Sequence, residues 1–384
     1  MKIAMLNTFY LPTVGGVEKV MEELAVRYIE KGHEVDVYCA DTDKYKRLEK
    51  KFEVIEGVNI YRSRYILKLS LNTYIFPGFI LDLLFKDYDV VHTHRSAHDF
   101  VMMAGLISFI RGKVHINTTH CPWTDKFRPW TVRLPLFFTD RFFNYISFFF
   151  VDKVVAITPW EIPILKRWVS KRKIKVIRNG TDKVLFERIK NNQFKKKHGV
   201  KDKLVLFFGR LHPTKAPHVL AEVAKEIVNE RKDIDFVFVG PDEGEMDKVK
   251  GIVKGEKRIQ VLGPLFGKKN IAEMYQASDV YVLPSYREGL PLTIFEAMAS
   301  GLPIVATPCN GIPFEMDDNV NGFLVEFGNK KLLKEKILKV LDDKKLAKKF
   351  SENNLKKAEA YTWDAIAEET LELYDTCIKR KKLF

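Results

Sequence analysis

The sequence is poor in cysteine. Four thiols, Cys39, Cys121, Cys309 and Cys377, stand far apart in 384 residues, with no Cys-x-x-Cys. That spacing argues against a disulfide framework or a closed zinc site and fits a reducing cytoplasm. No apolar run is long enough to cross a membrane: the most aromatic stretch, RLPLFFTDRFFNYISFFFV, is interrupted by Asp140, Arg141 and Asn144. The opening MKIAMLNTFY has a lysine at position 2 and too short an apolar run for a secretory signal, and reads as a first buried strand. Internal repeats, low-complexity tracts and G-x-G-x-x-G are absent, and the last absence weakens a dehydrogenase reading. The basic charge comes with no nucleic-acid-binding motif, so no nucleic-acid partner is expected.

What is present is a globular composition, 46% hydrophobic, with a net charge of +14 that favours anionic partners. The lysines are spread along the chain; KKLLKEKILKVLDDKKLAKKF reads as a solvated helix face. Short apolar strands (KIAMLN, EVDVYCA, VVHTH, VHINTTH, KVVAIT, then LVLFFG, DFVFVG, IQVL, VYVLPS, PIVAT) alternate with helical patterns. Such alternation predicts an α/β protein of two doubly wound parallel-sheet domains, each binding ligands at the carboxyl ends of its strands. The break falls in VIRNGTDKVLFERIKNNQFKKKHGV, a turn followed by a polar, basic connector, which gives domains 1–180 and 195–361. A final amphipathic helix within 362–384 carries Trp363, Ile366, Leu371, Leu373 and Tyr374 and could pack on either lobe.

Three stretches carry chemistry. In FYLPTVGGVE, Gly15 and Gly16 lie between the first strand and a helix, where a backbone can approach an anion at a helix N-terminus; a structural tight turn is an equal alternative. In LVLFFGRLHPTK, Gly209-Arg210 ends a strand and Lys215 precedes a helix, a fork-shaped cation and a point charge suited to clamping a diphosphate. In YREGLPLTIFEAMASG, Glu288 falls in a loop and Glu296 about two turns into a helix that starts with Pro291 and ends before Gly301. Two carboxylates there can accept hydrogen bonds from sugar hydroxyls, and the loop N–H groups can bind phosphate.

Together with DVVHTH, NTTH, VIRNGTD, ASDVYVLPS, PIVAT and NGFLV, in that order, these motifs resemble glycosyltransferase family 4, of the GT-B fold. The resemblance implies two Rossmann-like domains facing a cleft, with the terminal helix returning to the first. It implies a UDP- or GDP-sugar donor held by the second domain and a glycan or lipid-linked acceptor held by the first. By the same resemblance, Arg210 and Lys215 neutralise the donor diphosphate, and Glu296 binds the ribose. Glu288 lies beside the transferred sugar near the amides of Gly289 and Leu290. Gly16 lies beside the diphosphate, and His120 near the donor sugar. The implied reaction retains anomeric configuration by front-face attack and needs no metal or other cofactor, so activity in EDTA is expected. Two departures stand out: Phe314 occupies the place of an acid in CNGIPFEM, and VGPDEGE has Pro241 where a Gly-x-Gly is usual.

Asp41-Thr42-Asp43 reads as a polar loop, and His92, His94 and His98 as an unsuitable metal set. Trp123, Lys126, Arg128, Trp130 and Arg133, with the aromatic segment after them, offer two readings: a buried helix, or a face docking peripherally on a membrane. The competing functions are a nucleotide-sugar 2-epimerase-like isomerase, which shares the architecture, and a non-catalytic sugar-nucleotide-binding protein. A cytoplasmic location is expected, with a peripheral place on the inner membrane face left open.

Overall fold

The computed structural model describes residues 1–13, 15–70, 73–96, 98–121 and 130–382, without the side chains at 70, 132, 133, 135, 136, 138–141 and 143. The chain forms two compact units, Met1–Asn179 with Trp363–Phe384, and Gly180–Thr362.

In the first unit the strands are β1 (Lys2–Leu6), β2 (Glu34–Ala40), β3 (Phe52–Ile55), β4 (Val58–Ser63), β5 (Leu67–Ser70), β6 (Thr73–Ile75), β7 (Val90–His94), β8 (Val114–Thr118), β9 (Lys153–Ala156) and β10 (Ile174–Val176). The helices are α1 (Gly16–Glu30), α2 (Phe79–Phe85), α3 (Asp99–Ile110), α4 (Trp130–Phe149) and α5 (Ile162–Leu165). Eight strands form one sheet in the order β10-β9-β8-β7-β1-β2-β4-β3, and β5 and β6 form a separate hairpin. Every pairing in the large sheet is parallel except β3 with β4. β1 has β2 on one side and β7 on the other, so the sheet grows in both directions from it, and the crevice beyond β1 and β7 is the topological switch point. Most central strands are buried on both faces and nearly all apolar, as parallel sheets require. β7 and β8 depart from this: all five residues of each are buried, yet His92, Thr93 and His94 in one and His115, Asn117 and Thr118 in the other are polar.

The second unit begins with α6 (Phe194–Lys197). It continues with β11 (Lys203–Phe208), α7 (Pro217–Glu230), β12 (Ile234–Val239), α8 (Met246–Ile252), β13 (Ile259–Leu262), α9 (Lys268–Ala277) and β14 (Val280–Leu283). It ends with α10 (Leu292–Ala299), β15 (Ile304–Ala306), β16 (Gly322–Leu324), α11 (Lys330–Asp342) and α12 (Lys344–Ala358). Its sheet is wholly parallel in the order β13-β12-β11-β14-β15-β16, with the switch point between β11 and β14.

Two stretches differ from their sequence reading. The lysine-rich 330–350 stretch is two helices: the Asp343 carboxylate accepts the Leu346 N–H at 3.0 Å and starts the second. Neither helix is only a solvated face, because Leu333, Ile337, Val340 and Phe350 are buried in the core behind the sheet. The basic connector is a docked segment. Phe194 is buried, Asn192 donates to the Glu273 carbonyl at 2.7 Å, and the Ile189 N–H donates to Gln276 at 3.0 Å.

The last helix, α13 (Trp363–Lys381), packs on α1. Arg27 Nε donates to Asp364 at 2.7 Å, Lys31 pairs with Glu368 at 3.2 Å, and the Tyr374 hydroxyl lies 2.5 Å from His92 Nδ1 on β7. Tyr374→Phe would leave that buried ring nitrogen without a partner, at a cost of about 1–3 kcal/mol. The expected outcome is a lower denaturant midpoint for the first unit; an unchanged midpoint would show that the hydroxyl contributes nothing.

Candidate active site

In the second unit the site is built where β11 and β14 diverge. Gly209 follows β11 with φ +156°, and Gly240 follows β12 with φ +154°. A Cβ on Gly240 would collide with the Gly209 carbonyl oxygen, so the strand ends converge only because glycine stands there. Arg210 is the next residue and extends to the surface, where it donates to the Glu243 carboxylate. Lys215 closes a single 3-10 turn, Pro213–Lys215, just before α7. Its ammonium contacts both oxygens of Glu288, at 2.5 and 2.7 Å, and the two side chains are only 12% and 7% exposed.

Glu288 is held in place from three directions. Ser285 donates to its carboxylate at 2.6 Å, Asn310 donates to its backbone carbonyl, and the Tyr286 N–H donates to the Thr214 carbonyl at 3.1 Å, joining the two loops. Leu290 is buried, and Gly289 accepts the Gly311 N–H at 3.2 Å. Pro291 is the residue before α10 rather than inside its first turn. Glu296 is therefore the fifth helical residue, little more than one turn in and not two. It is half-buried and accepts from the Tyr275 hydroxyl at 2.9 Å. The acid missing at Phe314 reappears one residue later: Phe314 is exposed, whereas Glu315 is fully buried and accepts from Tyr361 at 3.1 Å. Arg210, Lys215, Glu288 and Glu296 thus lie on the loops and helices following the switch-point strands. Glu243, Ser285 and Tyr275 join them unforeseen, because their roles depend on loop geometry and not on spacing.

In the first unit Gly15 caps α1 in extended conformation, and Gly16 is its first residue instead of part of the loop. Glu18, in the first turn, is buried, bonded by Asn7 at 3.3 Å and paired with Arg95 at 3.1 Å. Neither Glu18 nor Arg95 stands out in sequence as a site residue; an acid in the first turn after Gly-Gly was the one available signal. Beside them the histidines are stacked. His94 Nδ1 lies 2.9 Å from His120 Nε2, the His92 and His94 rings are 4.2 Å apart, and His92 Nε2 lies 2.8 Å from the Thr118 hydroxyl. His120 and Cys121 both have positive φ, +55° and +50°, a costly backbone turn that throws His120 back toward β7. Burial pushes the imidazoles of His92 and His120 down to about 3, so both are neutral near pH 7. Burial, then Glu161, pushes the Cys121 thiol up, and burial raises Cys309 to about 12, so both thiols stay protonated. Among the described residues, Asn7 Oδ1, Thr8 Oγ, Thr13 Oγ, His94 Nε2, Ser96 Oγ and His98 Nδ1 are buried polar atoms without a partner. Such a concentration beyond β1 and β7 suits a ligand rich in hydroxyls.

Asp41 pairs with Arg47 at 2.9 Å, while Asp43 accepts N–H groups of its own turn, so the D-x-D side chains do not converge. No group of three or more His, Cys, Asp or Glu among the described residues is arranged to hold a metal ion. Trp123, Lys126 and Arg128 lie outside the described residues, as does the Arg133 side chain. In α4, Asn144, Ser147 and Phe148 are buried, while Trp130, Phe137, Phe142, Tyr145 and Phe149 are all more than half exposed. No described helix is long and apolar enough to cross a membrane.

Comparison with known proteins agrees with this architecture. Residues 14–184 match the model described as Glycosyltransferase Family 4, and residues 188–357 match that described as Glycosyl transferases group 1. The chain is 26% identical to spore coat protein SA of Bacillus subtilis, over 98% of this chain and 99% of that one. It is 32% identical to an Escherichia coli enzyme, UDP-Gal:alpha-D-GlcNAc-diphosphoundecaprenol alpha-1,3-galactosyltransferase, over 68% of each chain. Among solved structures, Anabaena HepE in complex with UDP superposes with a TM-score of 0.77 at 18% identity, over 98% of this chain and 100% of that one. The chain belongs to glycosyltransferase family 4. It is a glycosyltransferase of the GT-B fold.

The buried histidines make the first unit sensitive to acid. His115 is pushed down to about 4, His92, His98 and His120 to about 3, and His94 well below its usual 6.5, all mainly by burial. Between these values and 6.5 the unfolded chain binds protons that the folded chain does not, so stability falls as pH falls through that window. Each histidine costs at most about 1.4 kcal/mol per pH unit below 6.5. Denaturation at pH 7.5, 6.5 and 5.5 should give a small fall over the upper interval, where the unfolded rings begin to bind protons, and a fall about three times larger over the lower one; equal stability at all three would contradict the burial of neutral rings.

Proposed function

We propose that the protein transfers a hexose from a UDP- or GDP-sugar, with UDP favoured, to a glycan or lipid-linked acceptor, with retention of configuration and without a metal. The observation that carries this reading is the buried Lys215–Glu288 pair beside Arg210 at the switch point of the second unit. UDP is favoured because the E. coli relative is named for a UDP-sugar and HepE was solved with UDP.

In this reading Arg210, Lys215 and the loop amides around Gly289 and Leu290 meet the diphosphate. Negative charge grows on the leaving β-phosphate as the anomeric bond breaks, and cations fixed beforehand stabilise it without reorganising. The sugar gains oxocarbenium character while the leaving phosphate accepts the proton of the attacking hydroxyl on the same face. Glu288 fixes Lys215 and accepts from sugar hydroxyls, and Glu296 accepts from the ribose. A covalent role for the two carboxylates is not part of this scheme. In the first unit, Gly16 and His120 keep the roles that the family resemblance gives them, Gly15 keeps its reading as a backbone position that an anion can approach, and the acceptor is bound by this unit.

A panel of UDP-, GDP- and ADP-sugars, with and without EDTA, tests the reading through ligand-induced thermal shift and nucleoside diphosphate release. One donor should both stabilise the protein and release its nucleotide equally well in EDTA. Epimerised sugar without release would make the protein an isomerase, and binding without turnover a receptor. Lys215→Ala should lower kcat by roughly 10²–10³, the usual cost of removing a charge-stabilising donor; near-normal turnover would remove Lys215 from the mechanism.

The exposed aromatic side chains of α4, on a chain of net charge +14, support peripheral docking on an anionic bilayer, at the inner membrane face of a cytoplasmic enzyme. The double change Phe137→Ser and Phe149→Ser should abolish co-sedimentation with anionic liposomes while leaving the melting temperature within a degree or two; unaltered sedimentation would exclude this face.

A further inference from the structure

Outside the features used above, the first unit holds a cavity of about 670 Å³ lined by Lys46, Arg47, Lys50 and Arg62, with Glu49, Glu53 and the apolar Leu11 and Pro12 completing much of the wall. Its size is that of a small-molecule site. It opens at the carboxyl end of the sheet: Arg62 pairs in register with Cys39 near the ends of β4 and β2, and Leu11 and Pro12 lie in the loop leading to Gly15 and Gly16. That is the edge at which a doubly wound sheet takes its ligands.

The charges are arranged in two layers. Arg62 is 4% exposed and holds the floor: it donates to the Leu11 carbonyl at 2.6 Å, to the Lys50 carbonyl at 3.3 Å and to the Glu53 carboxylate. Its Nε–H is buried and has no partner among the described residues. A buried guanidinium N–H without an acceptor is uncommon and points to an acceptor supplied from outside the chain. Above it, Arg47 lies flat on the Tyr65 ring at 3.8 Å, 43% exposed, its Nη1 on Asp41, and Lys50 stands 77% exposed, 3.7 Å from Glu53. The four cations of the wall face Glu49 and Glu53, and Asp41 pairs with Arg47, which leaves the group positive by one and suited to an anion.

We propose that this cavity is the subsite for a phosphate group carried by the acceptor, bound through Arg47, Lys50 and the Arg62 Nε–H, with Leu11 and Pro12 against the apolar part of the molecule. The proposal rests on the reading that the first unit receives the acceptor. The phosphate can belong to a soluble phosphosugar or to an isoprenoid lipid carrier; the chemistry recognised is the same, and the test separates the two.

Isothermal titration of the full chain, saturated with UDP so that the second unit's cations are occupied, would use glycerol 1-phosphate and geranyl diphosphate, with glycerol and geraniol as controls. Saturable binding of a phosphorylated probe, absent for its control and weakened at least tenfold by Arg47→Ala with Lys50→Ala, is the expected result. Tighter binding of the glycerol ester would identify a soluble acceptor, and tighter binding of the isoprenoid a lipid-linked one. Both substitutions lie on exposed side chains, and an unchanged melting temperature verifies that the variant is folded. Equal affinity in the variant, or no saturable binding of either probe, would overturn the subsite. The UDP titration is read separately: failure there removes the donor reading and leaves the phosphate result to be judged alone.

Discussion

The Lys215–Glu288 pair is the constraint on which the second unit's site depends. An ammonium and a carboxylate this far out of water must stay together, because removing either partner leaves an uncompensated charge. Keeping them together requires the turn before α7 and the loop after β14 to share one geometry, and the Tyr286–Thr214 backbone bond, Ser285 and Asn310 supply it. An ammonium has three N–H bonds, and the two Glu288 oxygens account for two of them. Lys215 is therefore fixed in direction while retaining a proton to offer. Arg210 is the opposite case. It is exposed and held by Glu243 at the rim, where an ion pair is worth little and an incoming anion can displace the carboxylate. The site combines one cation that is always in place with one that can change partners.

The rim carboxylate is there because the loop after β12 departs from the usual glycine pattern. Pro241 has no N–H but offers a carbonyl, which accepts the Leu211 N–H at 2.8 Å; Glu243 and Glu245 then donate their N–H groups to the Leu211 carbonyl at 3.0 and 3.1 Å. Asp242 accepts the N–H groups of Gly244 and Met246 at 2.9 and 3.1 Å and leads the chain into α8. These bonds stitch the VGPDEGE loop to the segment carrying Arg210, and Glu243 reaches the guanidinium as a result. What looks in sequence like the loss of a flexible turn is a rigid loop that brings its own counter-ion.

The double winding and the central strands were legible because parallel strands buried on both faces are apolar runs, and apolar runs between helical periods can be read directly. The peripheral strands were not. β3, β4, β5, β6 and β10 are short or half-exposed, and patterns such as FEVI or IKV occur equally well in loops. The lysine-rich stretch misled because charge hides a one-in-four apolar spacing, and because the break at Asp343 is made by a side-chain cap and not by proline or glycine. At the site, Gly209, Arg210, Lys215, Glu288 and Glu296 could be located by their position after strands. Their partners could not: Ser285 and Tyr275 matter for where their hydroxyls point, and Arg95 and Glu18 meet across 77 positions of sequence. Distance in the chain conceals such pairs from any argument based on spacing.

The histidines of the first unit follow the same logic at a polar strand. β7 carries two imidazoles into a region where charge is too costly, so each stays a neutral ring with one donor and one acceptor nitrogen. His94 has one nitrogen bonded to His120 and the other without a partner among the described residues. An empty acceptor costs less than an empty N–H, which places the His94 proton on Nδ1, directed at His120 Nε2. His120 then carries its own proton on Nδ1. A ring in that state offers a hydrogen-bond donor that neither titrates near neutrality nor accepts a proton readily, because burial opposes its cationic form. The left-handed turn at His120 and Cys121 is the backbone conformation in which His120 Nε2 meets His94, and its strain is borne where the imidazoles stack.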